Sequence, residues 1–258
     1  MLLPVNVTLG IVMTVLLAVA TVGAALARFG DARDRRRYWK DLLTAGLRAA
    51  VQLAVVSLVV GAVMHVMPLL LAFVALMFTV ATFTAGRRIT GNSTGWWSAA
   101  PIAAGVLPTL GALLLTGLLP LRGVALIPVA GILIGGALTA TVLAGRRALE
   151  ELEARRGEVE AAMALGFPER DARLEIARPA ASDALIPGLD QTRTVGLVTL
   201  PGAYVGMLLG GSSPVQAGAV QLFVLVALMA VQTVAVALTL ELVARGRIHH
   251  AERAASGG

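Results

Sequence analysis

The sequence predicts an all-α, polytopic membrane protein of about seven transmembrane helices, with a cytoplasmic helix-turn-helix loop between the fifth and sixth spans. Hydrophobic residues make up 57% of the 258 residues, and only 14% are charged, against about 25% in soluble domains. The apolar residues fall in runs of about 20, the length that crosses a bilayer as a helix. Helices are expected because backbone polar groups cannot stay unpaired in lipid.

Seven such runs are separated by short connections. They are Val5–Ala27, Leu42–Val63, Pro68–Ala85, Ala99–Leu118, Val124–Ala144, Thr194–Gly211 and Val215–Val243. We expect one transmembrane domain over 1–248, with a cytoplasmic segment over 145–193 and a short polar tail over 249–258. The chain has no cysteine, which excludes disulfides and thiol catalysis.

The basic residues predict the orientation. Arginines and the single lysine concentrate in the first, third and fifth connections and in the tail, whereas the other connections hold only Arg122. The positive-inside rule then places the N-terminus outside and the C-terminus in the cytoplasm, in a bacterial inner membrane. The same rule accounts for the net charge of +6, so the charge does not indicate nucleic-acid binding.

The segment 145–193 predicts two short helices joined by a tight turn. Gly166 suits the end of the first helix, where a left-handed residue is needed. Pro168 suits the first turn of the second helix, which we expect to run to about Ala177 and to be followed by Pro179.

The spacing within this helix pair resembles the EAA loop of bacterial ABC permeases. The matching residues are Glu160, Ala161, Ala162, Gly166, Ile176 and Pro179. Arg178 stands where the pattern has Leu. The resemblance implies that the pair docks in a groove of an ATPase subunit and transmits its motion.

Longer stretches are similar to the FetB family of permeases, regarded as iron exporters and related to plant permeases of aluminium tolerance. The matching stretches are 46–53, 127–131, 184–187 and 194–202, followed by Gly206, Gly210, Pro214 and Gln221. The resemblance implies iron or another metal ion as cargo.

ATP hydrolysis is expected on a separate chain. A P-loop needs Gly-Lys followed by Ser or Thr, and the only lysine, Lys40, follows Tyr38 and Trp39. This chain is therefore expected to bind no cofactor itself, with ATP and Mg on the partner ATPase, and to act as a transport subunit rather than an enzyme. A homodimer is expected, because seven spans are few to enclose a path.

Polar residues inside spans are candidates for the translocation path, since they usually face protein or water. Arg48 and Gln52 share one face of the second span, although Arg48 can instead extend to the cytoplasmic interface. Asp190 and Arg193 either pair locally or form part of an inner gate. Gln221, near the outer start of the last span, is the third candidate.

Glycines predict close helix packing. Gly202, Gly206 and Gly210 form a stripe on the sixth span, within the chain or across a dimer, and Gly131 and Gly135 form a similar pair on the fifth. Pro201 is expected to kink or break the sixth span.

Met64, His65 and Met67 are weak candidates for a metal site at the outer end of the second span, because thioether sulfur and imidazole bind soft or borderline metals. Two alternatives to an ABC exporter stay open. One is an ABC importer permease for another small solute, and the other is an ATP-independent channel or secondary transporter.

Overall fold

The computed structural model describes residues 6–27 and 38–250, and it is helical as predicted. The long helices are α1 (Val7–Leu26), α2 (Tyr38–Val63), α3 (Met67–Ile89), α4 (Ala99–Leu115), α5 (Gly123–Ala154) and α10 (Pro214–Ala244). The shorter ones are α6 (Arg156–Ala164), α7 (Glu169–Ser182), α8 (Ile186–Thr194) and α9 (Gly202–Leu209), with 3-10 turns at Ser93–Ser98 and Asp183–Leu185. The basic cluster predicted within 28–37 and the tail beyond His250 lie outside the described residues.

Within the described ranges, six helices are long and apolar enough to cross a membrane. They are the six long helices above, with α4 extended by the turn that precedes it. The protein is therefore an integral membrane protein. The prediction of seven spans overcounts the continuous helices by one, because the sixth predicted span is broken.

The break interrupts the run Thr194–Gly211. Helix α8 ends at Thr194, the chain is irregular from Val195 to Pro201, and α9 has only 8 residues. Gly196 adopts a left-handed φ of +81°, and Pro201 has no N–H and disfavours helical geometry in the residue before it. The hydrophobicity of this run satisfied the span criterion, but its backbone does not form one helix.

The chain divides into two compact units at Val63 and Met64. The first holds α1 and α2. Asn6 caps α1 by accepting a hydrogen bond from the N–H of Leu9 at 3.0 Å. A β-carbon at Gly46 of α2 would lie 2.7 Å from Leu17 Cδ1, so this glycine allows α1 and α2 to approach closely.

The second unit is built around α5 and α10, which pack extensively against each other. Small residues make this contact close, as expected between helices in lipid. A β-carbon at Gly136 would lie 2.2 Å from Leu228 of α10, and one at Gly105 of α4 would lie 2.7 Å from the Val231 carbonyl oxygen. Gly86 and Gly95 bring α3 and the turn before α4 together in the same way.

Helix α5 has 32 residues and runs well past the predicted end of the fifth span at Ala144. The added turns carry Arg146, Arg147 and Glu150, good helix formers that continue the helix without an interruption. The segment 145–193 therefore begins as an extension of α5 and not as a separate helix.

Candidate functional site

The turn between α6 and α7 is a Schellman motif. The N–H of Gly166 donates to the Met163 carbonyl at 3.0 Å, and the N–H of Phe167 donates to the Ala162 carbonyl at 3.1 Å. Gly166 has φ of +95°, and a β-carbon there would meet no atom within 4 Å. The backbone conformation, and not a lack of space, requires glycine, as the sequence predicted.

The second helix is longer than predicted. Helix α7 runs to Ser182, beyond Ala177, and it contains Pro179 in its last turn. A proline there removes one intrahelical hydrogen bond. The burial of Ala177 and Ala181 on the same helix offsets that loss. Pro168 stands at the N-cap of α7, one residue before its first turn.

The tip of the helix pair exposes apolar side chains. Leu165 is 81% exposed and Phe167 is 54% exposed, and Met163 beside them is also exposed. Val159, one turn before Met163 on α6, is buried. A turn that exposes Leu and Phe together outside the long apolar helices is typical of a protein-docking surface.

Charged residues surround this tip. Glu160 is exposed and pairs with Arg156 at 2.9 Å. A hydrogen bond from Arg155 lowers the pKa of Glu158, so this carboxylate is ionised at neutral pH. Of the other predicted coupling residues, Ala161 is exposed, Ala162 and Ile176 are half-buried, and Arg178 pairs with Glu175 at 3.7 Å.

An ion pair holds α7 against the end of α10. Arg170 donates from Nε and Nη2 to the two carboxylate oxygens of Glu241, both at 2.7 Å. Glu241 also accepts a hydrogen bond from Arg245. Arg147 of α5 pairs with Asp183 at 3.8 Å on the other side of α7. The Arg170–Glu241 and Arg147–Asp183 pairs were not predictable from the sequence, because their partners lie far apart in the chain.

The described residues that follow α10 pack against the turn before α4. Asn92 Nδ2 donates to the His249 carbonyl at 2.8 Å, and the Arg247 guanidinium lies 5.2 Å from the centre of the Trp97 ring. Ile248 is buried. The end of α10 is thus fixed both to α7 and to the connection between α3 and α4.

The break after α8 leaves main-chain groups unpaired. Gly196 N–H donates to the Thr199 carbonyl at 2.8 Å, and Val198 N–H donates to the Thr194 carbonyl at 2.9 Å. Within the described residues, five carbonyls of the break accept no hydrogen bond: Val195, Gly196, Leu197, Val198 and Leu200. The side chains of Leu197, Val198 and Leu200 are exposed.

Two glutamines lie on α10 near this region. Gln232 sits beside Gly188 of α8, where a β-carbon would lie 2.2 Å from its Oε1. Gln221, a predicted path residue, is only 5% exposed, and its Oε1 has no hydrogen-bond partner within the described chain. Gln232 was not singled out from the sequence, although a Gln in an apolar span was a usable signal.

The other predicted path residues are not brought to Gln221 by any contact that we observe. Asp190 and Arg193 pair with each other at 3.5 Å, which is the local alternative. Arg48 and Gln52 belong to the first unit, where both are exposed.

The predicted glycine stripe faces open space within the chain. No atom lies within 4 Å of a β-carbon built on Gly202 or Gly206, and at Gly210 such an atom would meet only α9 backbone. In α5, Gly131 lies beside Met77 of α3, but Gly135 meets nothing, and its neighbour Gly136 makes the close contact with α10.

The methionine and histidine cluster lies in and just after the turn between α2 and α3. His65 and Met67 are exposed, and Met64 lies against Gly123 at the start of α5. Among residues 6–27 and 38–250, no three His, Cys, Asp or Glu side chains are grouped so that they could hold a metal ion.

Comparison with known proteins shows which family the chain resembles. Residues 8–248 match the model of the uncharacterised protein family UPF0014. The chain is 37% identical over 198 residues to the UPF0014 membrane protein STAR2 of Oryza sativa subsp. japonica, covering 75% of this chain and 69% of STAR2. It is 32% identical over 195 residues to YjkA of Bacillus subtilis, covering 74% and 78% of the two chains.

A third relative carries a name with a function. The chain is 28% identical over 213 residues to the probable iron export permease protein FetB of Escherichia coli, covering 81% of this chain and 82% of FetB. No solved structure matches the chain.

Proposed function

The chain belongs to the UPF0014 family of membrane proteins, and we propose that it is the permease subunit of an ABC transporter that exports iron or another metal ion. A separate ATPase supplies the energy by docking on the α6–α7 pair. The cargo is proposed from the name of the E. coli relative and from the FetB-like stretches. The resemblance of 160–179 to an EAA loop supports the ATPase partner.

The single observation that carries the proposal is the exposed tip of the α6–α7 pair. A Schellman turn at Gly166 fixes the angle between the helices, and Leu165 and Phe167 project beside it. Helix α7 packs on α5 and, through Arg170, on α10. A partner that grips the tip therefore moves two membrane helices together with α7.

A homodimer completes the proposed transporter. The open stripe of Gly202, Gly206 and Gly210 supports this, because small residues on a helix in lipid allow a second helix to approach. The described chain offers no partner to that stripe, which leaves it free for a second copy.

The test is co-purification with a co-expressed ABC ATPase from the same organism, together with ATP hydrolysis and iron transport in liposomes. Glu160→Arg reverses a charge at the tip. Gly166→Val forces a residue with a β-carbon into a left-handed conformation, at a cost of about 1–2 kcal/mol. Both should reduce ATPase binding while leaving folded yield unchanged, because the tip contributes little to the core.

Matched controls are Glu153→Arg and Gly157→Val. Glu153 is an exposed cytoplasmic carboxylate outside the tip, and Gly157 has open space and no left-handed φ. Wild-type ATPase binding in both tip variants would refute the coupling role. Iron transport by the purified chain without any ATPase would instead support the channel or secondary transporter.

A further inference from the structure

The break between α8 and α9 carries unpaired main-chain oxygens beside the apolar helix α10, in the segment predicted to be the sixth crossing. Five carbonyls between Val195 and Leu200 accept no hydrogen bond within the described chain. Lipid tails offer no donors, so irregular backbone at membrane depth persists only where protein covers it or where it lines a water-filled cavity. Because Leu197 and Val198 are 90% and 78% exposed, the described part of the second unit does not cover the break.

Two contacts with α10 show where along that helix the break lies. Gly188 of α8 lies beside Gln232. Tyr204 of α9 lies beside Gly218, with its ring 4.0 Å from a β-carbon built there. The break lies between these two contacts, alongside the stretch of α10 from Gly218 to Gln232, which is about 21 Å long. This stretch begins about one turn after the start of α10 and ends 12 residues before its last residue, Ala244.

A buried polar side chain lies at the same level of α10. Gln221 lies within that stretch, and it is 11 residues before Gln232, which returns it to within about 20° of the same helix face. On that face Gln232 lies against Gly188 of α8 and Gly136 of α5. Gln221 is 5% exposed and its Oε1 is unpaired, which is costly unless a ligand or water completes it.

Resting on the proposed function, we propose that the break Val195–Pro201 lines the translocation path and that its carbonyl oxygens, with Gln221 Oε1, coordinate the cargo cation inside the membrane. Carbonyl and amide oxygens suit a divalent cation that accepts oxygen ligands. Unwound backbone carbonyls at a helix break serve cations in this way in membrane transporters. The break then provides the oxygen ligands that replace water around the ion.

The experiment measures thiol accessibility in a chain that has no native cysteine. Val198→Cys and, as a control, Leu107→Cys are reconstituted separately in lipid nanodiscs without ATPase and treated with a charged, water-soluble thiol reagent. Leu107 is 62% exposed in the regular helix α4, and it lies about 200° around that helix from Gly105, which contacts α10. Thiols react as thiolates, which form in water.

We expect Val198→Cys to react at least about tenfold faster than Leu107→Cys, because only the first should ionise readily. Millimolar Mn²⁺ should slow the reaction at position 198 and not at position 107. In the double variant with Gln221→Leu, the protection by Mn²⁺ should be lost while the basal rate stays. Folding should survive, because replacing an unpaired buried amide by an apolar group of similar size is close to neutral.

Equally slow reaction at positions 198 and 107 would overturn the water-lined path and show that lipid or a second copy covers the break. Fast reaction without Mn²⁺ protection, or protection that persists in Gln221→Leu, would overturn the cation site. ATPase co-purification on the same preparations keeps the proposed function separate. If ATPase binding fails while Mn²⁺ protection holds, the coupling proposal falls and the path assignment stands.

Discussion

Gly105 illustrates how a single missing side chain sets the distance between two membrane helices. A β-carbon there would lie 2.7 Å from the Val231 carbonyl oxygen, a backbone atom that cannot rotate away. Gly111, on the same helix, has no atom within 4 Å of the corresponding position. The two glycines therefore lie on the same helix and differ in the atoms that surround them.

Gly105→Ala should destabilise the protein by about 1–3 kcal/mol, because overpacking forces α4 away from α10. Gly111→Ala should be neutral or slightly stabilising, since alanine favours a helix over glycine by about 1 kcal/mol. Thermal unfolding of both variants in one detergent measures the difference. Equal melting temperatures would show that the two helices separate at little cost.

Single residues also mark the limit of the sequence-based prediction. Glycine spacing identified Gly131 and Gly135 as a packing pair, whereas Gly136 makes the close contact with α10. Adjacent helical positions point about 100° apart, and spacing alone does not tell which of two neighbouring glycines faces a partner. Gly166 was predictable because its role depends on local backbone conformation and not on a distant contact.

At the scale of elements, the link between α7 and α10 has a direct test. Arg170 makes two hydrogen bonds to Glu241 from a planar guanidinium, and a lysine cannot reproduce that geometry. Arg170→Lys and Arg170→Ala should both lower iron transport per ATP hydrolysed, while ATPase binding at the tip is retained.

The control for this prediction is Arg146→Ala. Arg146 lies on α5, outside the EAA-like pattern, and among the described residues it pairs only with Glu150, at 3.6 Å. Its removal should leave transport per ATP unchanged. If Arg170→Ala and Arg146→Ala behave alike, the bond to α10 does not transmit motion.

The glycine stripe on α9 gives a second prediction at this scale. Because Gly206 has no neighbour within the chain, Gly206→Leu should leave the fold of a single chain intact and weaken a dimer that packs on the stripe. Size-exclusion chromatography with light scattering measures the change. Gly111→Leu, in an open position on α4, is the control, and a dimer that survives Gly206→Leu would place the stripe against lipid.

The elements themselves were largely predictable. Apolar length identified five of the six long helices to within a few residues at most ends, and the sixth, α5, at its start. It failed at Thr194–Gly211, where Gly196 and Pro201 outweigh hydrophobicity. Hydropathy measures transfer into lipid, whereas the break depends on backbone geometry, for which Pro201 was the one local warning.

At the scale of the whole molecule, the number of crossings and the orientation stay a prediction. The Arg170–Glu241 pair puts the end of α10 on the same side as α7. If α7 is cytoplasmic, α10 must start on the outside, and the chain between Ser182 and Ser213 must cross the membrane through α8, the break and α9. That path makes seven crossings, of which the sixth is not a continuous helix.

Single cysteines test this arrangement. Cysteines at Ser93 and Ser182 should label only from the cytoplasm, and one at Ser212 only from outside. Ser93 is a better site than Ser98 in the same turn, because Ser98 is buried and donates to the Thr82 carbonyl at 3.0 Å. Ser256 is also expected inside, and it lies beyond the described residues. Labelling of position 212 from the cytoplasm would mean that α8 and α9 enter and leave on one side.

The length of α5 has a mechanical consequence. A continuous helix of 32 residues is about 48 Å long. Helix α7 packs against it near the end that carries Arg147. A small tilt imposed there swings the far end, at Gly123, through a larger arc. If the segment through α8 and α9 is the sixth crossing, its break between Val195 and Pro201 makes it less rigid than α5. A force applied to α7 would then tilt α5 as one body and bend the sixth crossing at the break.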